Sequence, residues 1–192
     1  YLHESYRSQM ISLFSKFSAL LMLLFLSPLM VFVAVIIYLE DGSPVIYKQF
    51  RPGLNDRLFK FYKFRTMKLS TPDVATHLLN DPAKFLLRSG RILRKTSIDE
   101  LPNIYNVLLG DMNIVGPRPA LHNQYDLIML RKKHGINSIK PGITGWAQIN
   151  GRDEIDVQEK IELEKWYMIN KSLIMDLKIV IKTISKIISS KN

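Results

Sequence analysis

FSALLMLLFLSPLMVFVAVIIYL, Phe17 to Leu39, carries no charge over 23 residues. A straight helix of that length crosses roughly 30 Å of hydrocarbon, so its course decides what the rest of the chain can be. Ser27-Pro28 stands in the middle. The proline lacks an N–H and its ring clashes with the carbonyl of Leu24. This predicts a kink or a break, with the Ser27 hydroxyl able to bond a freed backbone group. The flanks add a constraint. Arg7 and Lys16 precede the run, while Lys48, Arg51, Arg57, Lys60, Lys63, Arg65 and Lys68 follow it, and positive flanks stay in the cytoplasm. One crossing puts a basic flank on the wrong side; a helix that enters, breaks at Ser27-Pro28 and returns keeps both. The expectation is a re-entrant membrane helix hairpin over residues 1–40 and a cytoplasmic domain over 41–192, set against an ordinary kinked transmembrane helix. A cleaved signal peptide fits less well, because the apolar stretch is long and no small-residue cleavage pattern follows it.

The 192 residues have room for one domain of ordinary size, and 47% hydrophobic residues can build its core. A formal charge of +10 calls for anionic company: nucleic acid, anionic lipid or a phosphorylated small molecule. With no cysteine in the chain, disulfides and thiolate metal sites are excluded.

Past the apolar run, SPVIYKQF (Ser43 to Phe50) and RLFKFYKFRTM (Arg57 to Met67) read as two strands joined by the turn RPGLND (Arg51 to Asp56), a hairpin. The alternation of basic and aromatic residues in the second strand also suits single-stranded nucleic acid, but with a membrane segment next door no nucleic-acid partner is expected. TPDVATHLLNDP (Thr71 to Pro82) reads as a loop, PAKFLLRSGRILRKT (Pro82 to Thr96) as a basic helix, and IDELPNIYNVLLGD (Ile98 to Asp111) as a helix ended by Gly110. MNIVGPRPA (Met112 to Ala120) is a short extended run entering a loop that two prolines stiffen. A helix bearing Arg131, Lys132 and Lys133 follows, then the Gly-rich KPGITGWAQINGR (Lys140 to Arg152) and two closing helices. In the last helix Lys178, Lys182 and Lys186 recur every four residues among apolar ones, which fits a membrane interface and equally fits packing on the core. The fold class is α/β, mainly helical with short strands.

TSIDELPN (Thr96 to Asn103) sets Asp99 and Glu100 side by side in a basic chain. Ser97-x-x-Glu100 matches a capping box; with Pro102 following, either Ser97 or Asp99 can be the N-cap, and both carboxylates then sit at a helix start. The apolar run, the acidic pair, YKFRTM (Tyr62 to Met67), GDMNIVGPRP (Gly110 to Pro119) and PGITGWAQINGR (Pro141 to Arg152) resemble, in this order and spacing, the monotopic phosphoglycosyltransferases, or bacterial sugar transferases. The compact length resembles the minimal members, such as the enzyme that moves a bacillosamine phosphate onto a polyprenol carrier.

The resemblance implies transfer of a sugar 1-phosphate from a UDP-sugar to polyprenol (undecaprenyl) phosphate at the cytoplasmic face of the bacterial inner membrane, with release of UMP. An N-acetylated amino sugar is the family-level expectation. It further implies that Asp99 attacks the phosphate next to the sugar and forms a phosphosugar-enzyme intermediate, while Glu100 orients Mg²⁺ or the nucleophile; Mg²⁺ would be held by Glu100 and Asp99. Arg118, between Pro117 and Pro119, is the first phosphate candidate, followed by Arg65, Arg91 and Arg152. A carboxylate at a helix start stays ionised at neutral pH, so Asp99 needs no base. Its obstacle is the anionic diphosphate: two unit charges 4 Å apart repel by roughly 4 kcal/mol at an effective dielectric of 20, so cations must accompany the substrate. His77, His122 and His134 have no ligand spacing, and no zinc is expected. One departure from the family pattern lies in ISLFSKF (Ile11 to Phe17), where Lys16 stands alone in place of a Lys-Arg pair and an aspartate before the membrane helix. The rival reading is a non-catalytic membrane-bound module that binds anionic lipid or nucleotide.

Overall fold

The computed structural model describes residues 2–72, 81–151 and 155–189. The first helix, α1, spans Leu2–Asp41, and its stretch from Ser15 to Asp41 is long and apolar enough to cross a membrane. The break that Ser27-Pro28 could produce does not occur: α1 stays helical through Pro28. Ser27 Oγ donates to Leu24 O at 2.9 Å, the carbonyl that a proline four residues later leaves without its amide partner. Packing supports both sides of that point. Ala19, Leu23 and Leu26 join Phe59, Phe61, Ile104 and Val107 in one core cluster, and Met30, Val33, Ala34 and Ile37 join Phe64, Leu87 and Leu93 in another. These positions, three or four apart, make one stripe. The other face, including Leu24, Phe25, Phe32 and Leu39, is exposed.

The predicted hairpin forms. Strands β1 (Ile46–Pro52) and β2 (Leu58–Phe64) pair antiparallel, with Ile46 opposite Phe64 and Pro52 opposite Leu58. A 3-10 turn at Leu54–Asp56 joins them. Of the loop expected at Thr71 to Pro82, residues 73–80 lie outside the described residues. The basic helix is shorter than its sequence predicts: Pro82–Phe85 is a 3-10 turn, Leu86 and Leu87 are extended, and α2 covers Arg88–Thr96. Leu87 itself offers no side-chain cap. The cap comes from the end of α1, where Glu40 accepts from Ser89 N at 3.2 Å and Ser89 Oγ at 2.6 Å, and also from Arg88 N.

Helix α3 (Asn103–Leu109) ends at Gly110, whose φ of 89° is the left-handed C-cap that glycine supplies. Asn106, fully buried, ties α3 to β2 by donating to Lys60 O at 2.6 Å and accepting from Tyr62 N at 3.3 Å. Asn106→Ala strands both backbone groups, so a loss of about 2–4 kcal/mol is expected, read by chemical denaturation of the detergent-solubilised chain; unchanged stability would show that β2 carries α3 without this tie.

Strands β3 (Asn113–Val115) and β4 (Gly142–Thr144) pair in parallel, with α4 (Tyr125–Lys133) in the crossover. A short α5 (Trp146–Asn150) precedes α6 (Val157–Asn170) and α7 (Leu173–Ser189). One face of the last helix packs on the core and the other is exposed. Ile179 is fully buried in a core cluster that Met175 and Val180 flank, while Ile174, Leu177, Ile181 and Ile184 are exposed.

Candidate active site

Asp99 lies in a single 3-10 turn, Ile98–Glu100, between α2 and α3. The capping box does not form. Ser97 takes a left-handed conformation, φ 57° and ψ 17°, ends α2 and makes no side-chain cap, and α3 begins only after Pro102. A left-handed serine costs roughly 1–2 kcal/mol. Here it turns the chain sharply between two helical segments, and the next residues are the two carboxylates. Asp99 is 6% exposed. Glu100 faces the GPRP loop, where Arg118 grips it with both arms of the guanidinium: Nη1 donates to Oε2 at 2.9 Å and Nη2 donates to Oε1.

The loop that presents Arg118 is held by its backbone. Pro117 O accepts from Gly142 N at 2.9 Å, Arg118 O from Arg131 Nη2 at 2.9 Å, and Pro119 O from Arg51 Nη1 at 3.1 Å. The glycines of GITG serve close approach here rather than turns. A Cβ on Gly145 would lie 2.1 Å from Gly116 O, and one on Gly142 would lie 2.1 Å from Gly116 N, distances no side chain tolerates. The start of GPRP therefore packs backbone to backbone against β4.

Four cations surround the carboxylates: Lys63 on β2, Arg51 on β1, Arg94 on α2 and Arg118. Burial above all, and then the Glu100 carboxylate, push the Asp99 carboxyl up to about 6, against the pull of Lys63, Arg94 and Arg118. This corrects the expectation that a helix start holds it low, because a three-residue turn offers little dipole and the site excludes water. At pH 7 such a group is still about nine-tenths ionised. Burial also works to raise Glu100, but the Arg118 hydrogen bonds and charge, with Lys63 and Arg51, outweigh it and hold its carboxyl below the ordinary range. Lys63 is brought down to about 8, chiefly by burial, with Asp99 opposing and Arg94 and Arg51 assisting.

Lys63, Arg51 and Arg94 also line a cleft of about 1080 Å³, together with Lys48, Arg65 and Lys68, and among the described residues no carboxylate lines it. Such a cleft is large enough for a nucleotide-sized ligand and selects an anionic one. The geometry thus joins a buried, mostly ionised carboxylate to a basic cleft through shared cations. Residues 6–190 match the family model described as bacterial sugar transferase.

The chain belongs to the bacterial sugar transferase family. It is a transferase. The sugar transferase EpsL of Bacillus subtilis, itself uncharacterised, is 45% identical over 179 residues, which cover 93% of this chain and 87% of that protein. The UDP-glucose:undecaprenyl-phosphate glucose-1-phosphate transferase of Escherichia coli is 43% identical over 177 residues, 88% of this chain but 38% of that one. The UDP-N-acetylgalactosamine-undecaprenyl-phosphate N-acetylgalactosaminephosphotransferase of Aeromonas hydrophila is 39% identical over 171 residues, 85% of this chain and 40% of that one. The chain therefore spans about two fifths of the length of the latter two.

Within this sugar transferase the phosphate candidates separate. Arg118 stands at the acidic pair. Arg65 lines the cleft, but its N–H groups are engaged elsewhere: with Pro44 O at 2.7 Å, Gly42 O at 2.7 Å, Asp41 O at 3.0 Å, Met67 O at 3.1 Å and the Asp41 carboxylate. It fastens the end of α1 to the strand after it. Arg91 is on the exposed side of α2 and outside the cleft lining, and Arg152 lies outside the described residues. Lys63, Arg94 and Arg51 are the site cations that sequence reasoning passes over. Helical spacing would have found Arg94, which lies four residues after the buried Gly90 and bonds Thr66 Oγ1 at 2.9 Å. Strand parity puts Lys63 on the same face as Phe61 and Arg65.

Proposed function

We propose that this sugar transferase moves a sugar 1-phosphate from a UDP-sugar, an N-acetylated amino sugar by family expectation, to polyprenol phosphate, through a covalent intermediate on Asp99. The observation that supports it most is the buried Asp99 carboxylate, mostly ionised at pH 7, facing Lys63 and Arg94 of a basic cleft. An Asp99 oxygen attacks the phosphorus next to the sugar. The bond from that phosphorus to the bridging oxygen breaks, and UMP leaves with that oxygen and its electron pair. A polyprenol phosphate oxygen then attacks the same phosphorus and frees Asp99. Lys63, Arg94 and Arg118 offset the charge that keeps two anions apart. Covalent catalysis by a carboxylate divides a transfer between one soluble and one membrane-bound substrate into two encounters.

The pair Asp99 and Glu100 offers Mg²⁺ carboxylate oxygen, the ligand type it prefers, although both Glu100 oxygens already accept from Arg118. No cluster of three or more His, Cys, Asp or Glu exists among the described residues, but adjacent carboxylates can share the ion with substrate phosphate oxygens and water. Asp99 and Glu100 would hold it, and when bound it neutralises phosphate charge.

The catalytic part, residues 41–192, rests against the cytoplasmic face of the inner membrane in this reading. Because core residues contact α1 all the way from Ala19 to Ile37, a perpendicular crossing would drag the core into hydrocarbon. A helix that bends at Pro28 without breaking, and so enters one leaflet with both flanks on the cytoplasmic side, avoids that, and the exposed apolar stripe of α7, with Lys178 and Lys182 beside it, lies at the interface. The absence of native cysteine makes the topology testable: Leu13→Cys and Ser43→Cys should both resist a membrane-impermeant thiol reagent applied from the periplasm. Labelling of either one removes the arrangement. The reaction is tested by incubating the purified chain with UDP-sugars and no lipid acceptor. UMP and a phosphosugar mass on the peptide holding Asp99 are expected; turnover with lipid but no adduct on rapid quenching would point to direct transfer.

A further inference from the structure

Arg131 on α4 and Glu164 on α6 form an ion pair deep in the protein. Arg131 Nε donates to Glu164 Oε2 at 2.8 Å and Nη2 donates to Oε1 at 2.5 Å, with side chains 10% and 3% exposed. As a link between two helices this is a poor choice, since a buried ion pair can often be replaced by apolar residues with no loss of stability. The pair has another contact. The same Nη2 donates to the main-chain carbonyl of Arg118 at 2.9 Å.

We propose that Arg131, oriented by Glu164, is a positioning residue for Arg118 in the transfer reaction; this rests on the reading of that reaction given above. The carbonyls on either side of Arg118 are fixed by groups that belong to the site itself: Pro117 O by the β4 amide of Gly142, and Pro119 O by Arg51. The central carbonyl accepts from Arg131. Arg131 reaches it from behind, and Glu164 engages both Nε and Nη2, which fixes the rotation of the guanidinium plane. α6 thus bears on the acidic pair through Glu164 and Arg131, and the backbone of residue 118 sets where its fork meets Glu100 and the incoming phosphate. A shift of about 1 Å in such a group can lower a rate by about a hundredfold.

The decisive variant is the apolar pair Arg131→Met with Glu164→Leu in the full chain. A melting temperature at or near that of the wild type is expected, with kcat for UMP release lowered by about ten- to a hundredfold and the KM for UDP-sugar changed much less. In an Arg118→Ala background the same two substitutions should change neither kcat nor UDP affinity appreciably, because the group they position is gone. Wild-type kcat in the double variant overturns the proposal, as does an equal loss with and without Arg118. If the apolar pair fails to fold, Arg131→Lys takes its place. It keeps the charge but cannot reach two carboxylate oxygens and the carbonyl together, and it must show the same dependence on Arg118. Calorimetric titration of UDP separates the two readings. A wild type that releases UMP while the cycle is additive removes the brace alone. A wild type that releases none removes the reaction, and the cycle on UDP affinity then decides the brace.

Discussion

Asp99→Asn is expected to abolish UMP release, by at least about a thousandfold, and at the same time to make the protein more stable. Loss of activity follows from the amide, which cannot act as the attacking oxyanion. The gain follows from burial. A carboxyl held up to about 6 against an ordinary 3.8 is an acid whose charged form the folded site disfavours, and at neutral pH that penalty is about 2–3 kcal/mol. The sign is fixed by which state holds the proton more tightly. Here it is the folded state, so the penalty is complete above pH 6 and is relieved as pH falls toward 3.8. The asparagine variant carries no such penalty at any pH. Its advantage over the wild type should be a few degrees in melting temperature at pH 7.5 and should shrink as pH falls below 6. The opposing pull of Lys63 and Arg94 is already contained in that shift, so about 2–3 kcal/mol is the expected gain. An Asp99→Asn protein that is inactive but less stable at pH 7.5 would mean that the cations need Asp99 more than burial opposes it.

How much of this was legible in the sequence follows from the range of each interaction. The hairpin, the Gly110 stop and the Ser27 hydroxyl on Leu24 are set by neighbours along the chain, and their patterns predict them. The acidic pair and Arg118 were visible as motifs. Their pairing was not, because it depends on three loop carbonyls being tied by Gly142, Arg131 and Arg51, residues up to 68 positions away. The capping box was misleading for a related reason. Ser97 and Glu100 have the right spacing, but Arg118 takes the glutamate and Ser97 turns left-handed, a tertiary outcome that local propensity cannot foresee. Arg65 shows the same limit from the other side. Its place in YKFRTM reads as a phosphate contact until the carbonyls of Asp41, Gly42 and Pro44 are seen around it. Burial of Asp99 was likewise hidden, since nothing in TSIDELPN says that a turn rather than a helix will carry it.

Arg118→Ala and Glu100→Gln should move the acid limb of the kcat/KM profile in opposite directions. The wild-type limb lies near pH 6 if ionised Asp99 is the nucleophile, and kcat/KM reports the free enzyme. Arg118 is one of the cations that hold the Asp99 carboxyl down, whereas Glu100 is, after burial, the main group that pushes it up. Removing the arginine therefore shifts the limb above 6, and the shift is tempered to the extent that Glu100, without the partner that holds its carboxyl low, takes up a proton and pushes Asp99 less. Neutralising the glutamate shifts it below 6. Both variants lose rate at the plateau: Arg118→Ala by about a hundredfold to a thousandfold, the usual effect of deleting one charge-stabilising donor, and Arg118→Lys by less, since it keeps a charge but not the fork. The opposed shifts carry the argument, because general damage to the site lowers both plateaus without giving the limbs opposite signs. Limbs that stay at the wild-type pH in both variants would mean that the group titrating there is not Asp99. The nucleophile would then have to be sought elsewhere among the residues facing the cleft.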